Sequence, residues 1–266
     1  MKAITFPLLA SSMFAVGCST HHDLPSNERD GLLAFVPEAK QDRIDATRRE
    51  AAEYREQVAI ADRDLNEVRN LRDLADANCS TTEARLADAT SRVHHARRHS
   101  GQEQVREAEA LVVEINDARR LEHAKRAYYD DVATLAVKRK ALVESRACLA
   151  DARLELHKAE AVAQLDRPQA SEVDVPSYRA KVCQAVDRVE QSLLEAKVAE
   201  RRVALRREMI DARRQEVPEA ARLQPVEPID QIFAASIDTG ASEQADEARS
   251  KARAGEEEDR EGGDRP

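Results

Sequence analysis

Few residues in this chain are of a type and spacing that could do chemistry. His94, His95 and His99 cluster within six positions, and His95 and His99 stand four apart, where two imidazoles on one helix face could share a metal. The neighbours argue against it. Arg97 and Arg98 would repel a cation, and the nearest downstream carboxylate, Glu103, lies beyond Gly101. Basic side chains at the negative end of a helix dipole account for the cluster without a metal. No metal ligand set is therefore assigned. Four cysteines, Cys18, Cys79, Cys148 and Cys183, are the remaining chemical handles. The chain has no glycine-rich phosphate loop, no His-Glu-x-x-His helix, and no spacing that places a serine, a histidine and an acid together. The expectation is a protein without catalytic residues, cofactor or metal.

The elements that carry these residues are helices. From about Glu38 to about Leu165 there is no proline and a single glycine, Gly101. One heptad row reads Ile44, Ala51, Val58, Leu65, Arg72, Cys79, Leu86, Val93; a second reads Thr47, Tyr54, Ala61, Val68, Ala75, Thr82, Ala89, Ala96. Only an α-helix sets both rows side by side in one stripe, so this is coiled-coil sequence. Ser80-Thr81-Thr82-Glu83 has the form of a capping box, but both rows run through it without a phase shift, so the helix continues.

A stop is expected near residue 100. Arg97, Arg98 and His99 suit a helix C-terminus, and Gly101 suits the position just past one, where a left-handed residue commonly ends a helix. Beyond it the apolar positions change phase, to Val105, Ala108, Val112 and Ile115. A turn there makes a helical hairpin; the alternative is one continuous rod with a stutter. The second helix carries Leu121, Tyr128, Leu135, Leu142, Leu149, Leu156 and Ala163 in one row, and Asp166-Arg167-Pro168 closes it. A third helix begins near Asp174 and Pro176, carries Val175, Val182, Val189, Ala196, Val203 and Ile210, and stops before Pro218.

The expected fold is all-α: three long helices, over about 38–99, 103–165 and 175–217, in an extended antiparallel coiled coil. The second row of the first helix is mostly alanine and threonine, and Arg72 interrupts the first row. A buried Leu or Val contributes roughly 1.5–3 kcal/mol and alanine far less, so a parallel two-stranded dimer of this helix would be weak. Small residues let a second helix approach closely, and the Leu121–Leu156 row supplies bulk from within the same chain. Homo-oligomerisation remains open.

Turns near residues 100 and 170 would set Cys79 level with about His123 and Cys148 level with about Leu193. Cys148 and Cys183 would then lie about 15 Å apart along the axis, too far for a bridge, which needs Cα atoms within about 7 Å. Cys79, in its heptad row, reads as a small buried apolar residue.

Composition fits long helices: 35 % of residues are charged, 3 % are aromatic, and tryptophan is absent. The formal net charge of -9 argues against a nucleic-acid partner, which would call for a basic face. After Val217 the chain changes character. Pro218, Pro225 and Pro228 interrupt it, and from Ser242 to Pro266 nearly every residue is charged or small, with the run Glu256-Glu257-Glu258-Asp259. Residues 218–266 are expected to form a disordered acidic tail. Its one apolar cluster is Ile232, Phe233, Ala234, Ala235 and Ile237, read as a transient local contact in preference to a partner-docking motif.

The N-terminus reads as a targeting segment. Lys2 is followed by an apolar run from Ile4 to Val16, too short for a transmembrane helix. It ends in Ala15-Val16-Gly17-Cys18, which resembles the lipobox of bacterial lipoprotein precursors, with Ala15 where that family usually has leucine. The resemblance covers only these first residues. It implies removal of residues 1–17 as a signal peptide and diacylglyceryl and N-acyl modification of Cys18. Ser19 in place of aspartate is compatible, in that family, with sorting to the outer membrane, facing the periplasm. Several acyl chains give stable anchoring. Residues 18–37 read as a tether whose apolar cluster, Leu32, Leu33, Phe35 and Val36, caps the end of the bundle. The expected function is a lipid-anchored structural spacer or interaction scaffold of the cell envelope, whose partners are the membrane and other envelope proteins. The alternative is an accessory component of an envelope transport or efflux assembly, since such assemblies also use long helical hairpins.

Overall fold

A computed structural model describes residues 26–216 and Phe233. Among these residues there is no β-strand. A short helix, α1 (Ser26–Leu32), and a 3₁₀ turn (Leu33–Phe35) lead into α2 (Glu38–His99). Then come α3 (Gln102–Ala163), a 3₁₀ turn (Pro168–Glu172) and α4 (Val175–Glu216). The long helices pack side by side as an extended antiparallel coiled coil, with α3 in the middle and α2 and α4 against it.

Side-chain pairs fix the register of the hairpin. Reading from the tip to the base, α2 meets α3 through Arg97–Glu109, His123–Glu83, Arg126–Asp76, Lys140–Asp62, Arg55–Asp151 and Thr47–His157. From the first pair to the last, α2 steps back from 97 to 47, 50 residues, while α3 advances from 109 to 157, 48 residues. The hairpin therefore runs in register over its length, without an inserted stutter. At about 1.5 Å per residue, the 62 residues of each helix make a rod about 90 Å long.

The core of α2 follows its heptads closely. The twelve buried residues of α2 are Ile44, Thr47, Ala51, Ala61, Leu65, Val68, Ala75, Cys79, Thr82, Ala89, Val93 and Ala96, and all twelve belong to the two rows read above. Arg72 leaves the core row for the surface and faces Asp130 at 3.8 Å. The central helix α3 buries residues on two sides: Leu121, Tyr128, Leu135, Leu142 and Leu149 along its main row, and Ala124, Val132, Val143 and Ala150 beside it. One cluster joins Leu65 and Val68 of α2, Val132 and Leu135 of α3, and Ala199, Val203 and Ile210 of α4.

The pairs Ser145–Ser192, Lys138–Glu195 and Asp131–Arg206 align α4 antiparallel to α3. Carried on by ten residues, this register brings the end of α4 level with about residue 121 of α3. Over the last 25–30 Å of the hairpin the described residues thus form two helices.

At the other end, the part of the tether that is described is helical and packed. Leu32 and Leu33 lie against Ala159, Val162 and Tyr178, and Val36 joins Ile44, Leu154 and Ala161. Arg29, only 2 % exposed, bonds Tyr178 and Glu155 and lies over the Tyr178 ring. The seven residues of α1 are too short to hold a helix alone, so this packing and the buried Arg29 contacts stabilise it.

The turn differs from the expected one. Ser100 and Gly101 are both extended, at φ -130°, ψ 164° and φ -72°, ψ 167°, and no described residue has positive φ. The chain reverses through two extended residues, so no left-handed glycine is required.

Candidate functional site

Cys18 and its lipobox lie outside the described residues. The other chemical candidates can be followed from the helices that place them. His94, His95 and His99 are exposed on the last turns of α2, beside the hairpin turn. The rings of His95 and His99 are 4.8 Å apart at 47°, a tilted ring contact. Among the described residues no group of three His, Cys, Asp or Glu side chains is arranged to hold a metal ion. A shallow groove beside the cluster is lined by Glu83, Leu86, Ala87, Thr90, Ser91, His94 and Arg119, and within it the Thr90 hydroxyl donates to the Leu86 carbonyl at 2.7 Å.

The three described cysteines are free. Cys79 is buried between α2 and α3; burial pushes its thiol up, and the nearby Glu122 carboxylate adds to the effect, so thiolate chemistry is suppressed. Cys148 falls level with about Val189, not Leu193, because α3 ends at Ala163 and the connection coils through Pro168–Glu172. Cys148 and Cys183 are then about 9 Å apart along the axis, nearer than the sequence implied.

One pair has the outline of a nucleophile and its base. Thr47 Oγ1 lies 2.8 Å from His157 Nδ1. The same hydroxyl donates to the Arg43 carbonyl at 3.0 Å, which uses its only proton, so the imidazole must be the donor. Burial, joined by the nearby charges of Arg43 and Arg153, holds the His157 pKa down at about 4. A neutral imidazole that gives its proton to a buried threonine locks two helices together and activates nothing. The pair was not singled out in the sequence, although Thr47 stands in a core row, where a polar side chain needs a partner. Opposite it on α3 stands His157.

Buried charges follow the same logic. Asp131, 5 % exposed, accepts from Arg202 at 2.7 Å and Arg206 at 3.0 Å and ties α4 to α3. Glu122 and Lys125, both buried on α3, pair at 2.7 Å. Such pairs cost desolvation and fix register more than they add stability.

Phe233 departs from expectation. It is 5 % exposed, joins the cluster of Leu65, Val68, Leu135 and Val203, and lies 4.4 Å beneath the Arg139 guanidinium. A buried aromatic ring with a cation over its face is a specific seat and no transient contact. The rest of the apolar cluster, Ile232 and Ala234 to Ile237, lies outside the described residues, as does the acidic run.

No helix among the described residues is long and apolar enough to cross a membrane. No protein family model, curated protein or solved structure matches this chain.

Proposed function

We propose that this chain is a lipid-anchored, extracytoplasmic spacer and interaction scaffold of a bacterial cell envelope, held to its membrane through Cys18. The observation that carries the proposal is a pairing: a lipobox-like Ala15-Val16-Gly17-Cys18, its cysteine 20 residues before the first helix of a rod about 90 Å long. The N-terminal segment joins the rod at one end, through α1, Leu33 and Val36. An anchor at Cys18 would therefore hold the base near the membrane and leave the Ser100–Gly101 turn at the far end. Structural work suits the side chains. The buried Thr47 and Asp131 spend their hydrogen bonds on His157 and on Arg202 and Arg206 of neighbouring helices, holding the helices together. The Ser19 position favours the outer membrane and a rod that faces the periplasm.

Mass spectrometry of the membrane fraction tests the anchor. The mature chain is expected to start at Cys18 and to carry acyl mass, and Cys18→Ser is expected to release the protein or block its processing. A mature chain that begins elsewhere, or an unmodified Cys18, removes the basis of the proposal.

A further inference from the structure

Helix α4 carries apolar residues on two opposite sides. Val182, Val189, Ala196, Val203 and Ile210 are buried, in the clusters that α4 forms with α3 and α2. On the other side stand Leu194, Val198, Leu205 and Met209, each between 49 % and 69 % exposed. They are four of the nine large apolar side chains exposed among the described residues. At about 100° per residue the four fall within a sector of about 60°, a narrow stripe that points away from α3. Their spacing is four, seven and four residues, so the stripe reads the same in both directions about a midpoint between Arg201 and Arg202. Charge is divided about the same midpoint. Over residues 187–200 four acids (Asp187, Glu190, Glu195 and Glu200) meet two bases, a net -2. Over residues 201–214 six arginines meet two acids, a net +4.

We propose that this stripe is the docking surface for a second copy of the same chain, whose α4 runs antiparallel across a two-fold axis. The symmetric spacing and the divided charge argue for a copy over a foreign helix. A two-fold axis at the midpoint sets Val198 level with Leu205 of the other copy, and Leu194 level with Met209, so each apolar residue meets another. The same axis brings the acidic half of each helix against the basic half of the other. Parallel pairing would set like against like. Lys197 and Glu208, both exposed and on one flank of the stripe, fall within two residues of each other across the axis. Arg201 is the discordant member, because it falls beside its own copy at the centre. Four apolar contacts per helix and one like-charge contact make a weak seam, so association is expected to be reversible. The inference stands apart from the spacer reading and needs no lipid anchor.

The test is sedimentation velocity of the purified full chain carrying Cys18→Ser, which keeps acyl chains out of the association. Dimers are expected to grow in between about 1 µM and about 300 µM. Leu205→Glu is expected to weaken dimerisation about a hundredfold, since the two-fold axis places that leucine in the interface twice. Arg201→Leu is expected to strengthen it about tenfold, which keeps a readout if circular dichroism shows that Leu205→Glu has lost helix. Cross-linking reads the direction of pairing. With Cys148 and Cys183 also changed to serine, an oxidised mixture of Val198→Cys and Leu205→Cys chains is expected to form mixed dimers. Either chain alone is not, because seven residues, about 10 Å along the axis, would separate the two thiols. Monomers at every concentration, a dimer indifferent to both variants, or Val198→Cys chains that cross-link as readily alone overturn the proposal. So does a chain that dimerises only after removal of residues 218–266, which would mean that its own C-terminal segment occupies the stripe.

Discussion

The base and the tip of this rod share two helices and differ in how many neighbours those helices have. From Ala118 to Val162, α3 lies between α2 and α4 and buries twenty-one side chains, among them Tyr128, Leu135 and Val143 at full burial. Between Gln102 and Asp117 the same helix buries none; Val105, Ala108, Val112 and Ile115 are only partly covered. Facing them, α2 contributes Ala89, Val93 and Ala96. The difference lies in the third layer. Among the described residues, the rod has a core where α4 and Phe233 cover the second side of α3 and a seam beyond the end of α4. The thick part is suited to bear the molecule's stability, and the thin part to present side chains.

The sharpest way to break this comparison is to delete buried apolar bulk in both regions, three carbons at the base and two at the tip. Leu135→Ala opens a cavity among Leu65, Val132, Val203 and Phe233, and is expected to cost about 3 kcal/mol. Val93→Ala, at 8 % exposure in the seam, is expected to cost about 1 kcal/mol or less, since the neighbouring helix can close on the space. Urea denaturation followed by circular dichroism measures both. Equal costs would mean that the tip is as tightly packed as the base.

Acid is expected to act on the base through His157. Its folded pKa of about 4 lies below the ordinary 6.5, so above pH 6.5 both folded and unfolded chains hold it neutral. As the pH falls from 6.5 towards 4, the unfolded chain takes up a proton that the folded chain refuses, and stability falls. Below about 4 both forms bind it and this contribution stops changing. His157 is partly exposed, so the loss is discounted to about 1–2 kcal/mol. Unfolding at pH 7 and pH 4.5 measures it. His157→Gln is expected to be less stable at pH 7 and to lose less on acidification. An identical pH slope in the variant would remove His157 from the account.

The legible part of the structure is the part in which periodicity and burial coincide. On α2 they do so residue for residue, because that helix has one packed face and the two rows mark it. On α3 only one row could be read. The packed faces of α3 also include Glu122, Lys125, Asp131 and Arg146, charged residues that sequence reading assigns to solvent and that are buried here. Their burial depends on which helix arrives opposite, and no local pattern carries that. The same holds for α1, whose seven residues lack a helical period and depend on Arg29 reaching Tyr178 and Glu155, far along the chain. Phe233 reads as one member of a short apolar cluster in a polar tail, a transient local contact. Its seat consists of residues from three helices separated by more than a hundred positions. The proposal for Cys18 rests on a linear motif alone, outside the described residues, and draws on no feature of the fold.

The smallest expected effect tests how the tip turns. Glycine at a helix end usually signals a left-handed residue, and alanine there would be strained. At Gly101 the backbone is extended, with φ at -72°, and a Cβ built at this position would meet nothing within 4 Å. Alanine can adopt this conformation and restricts the unfolded chain more than glycine does. Gly101→Ala is therefore expected to leave the structure unchanged and to shift its stability by less than about 0.5 kcal/mol, the restriction of the unfolded chain being offset by alanine's poorer fit as the N-cap of α3. Thermal melting of the full chain, with amide exchange at Ala96 and Val105 as a local probe, measures this. Destabilisation by 1 kcal/mol or more, with faster exchange confined to the tip, would mean that the turn requires positive φ. The two helices would then enter the seam at another angle, and the basic side chains around the turn would be displayed differently from those described above.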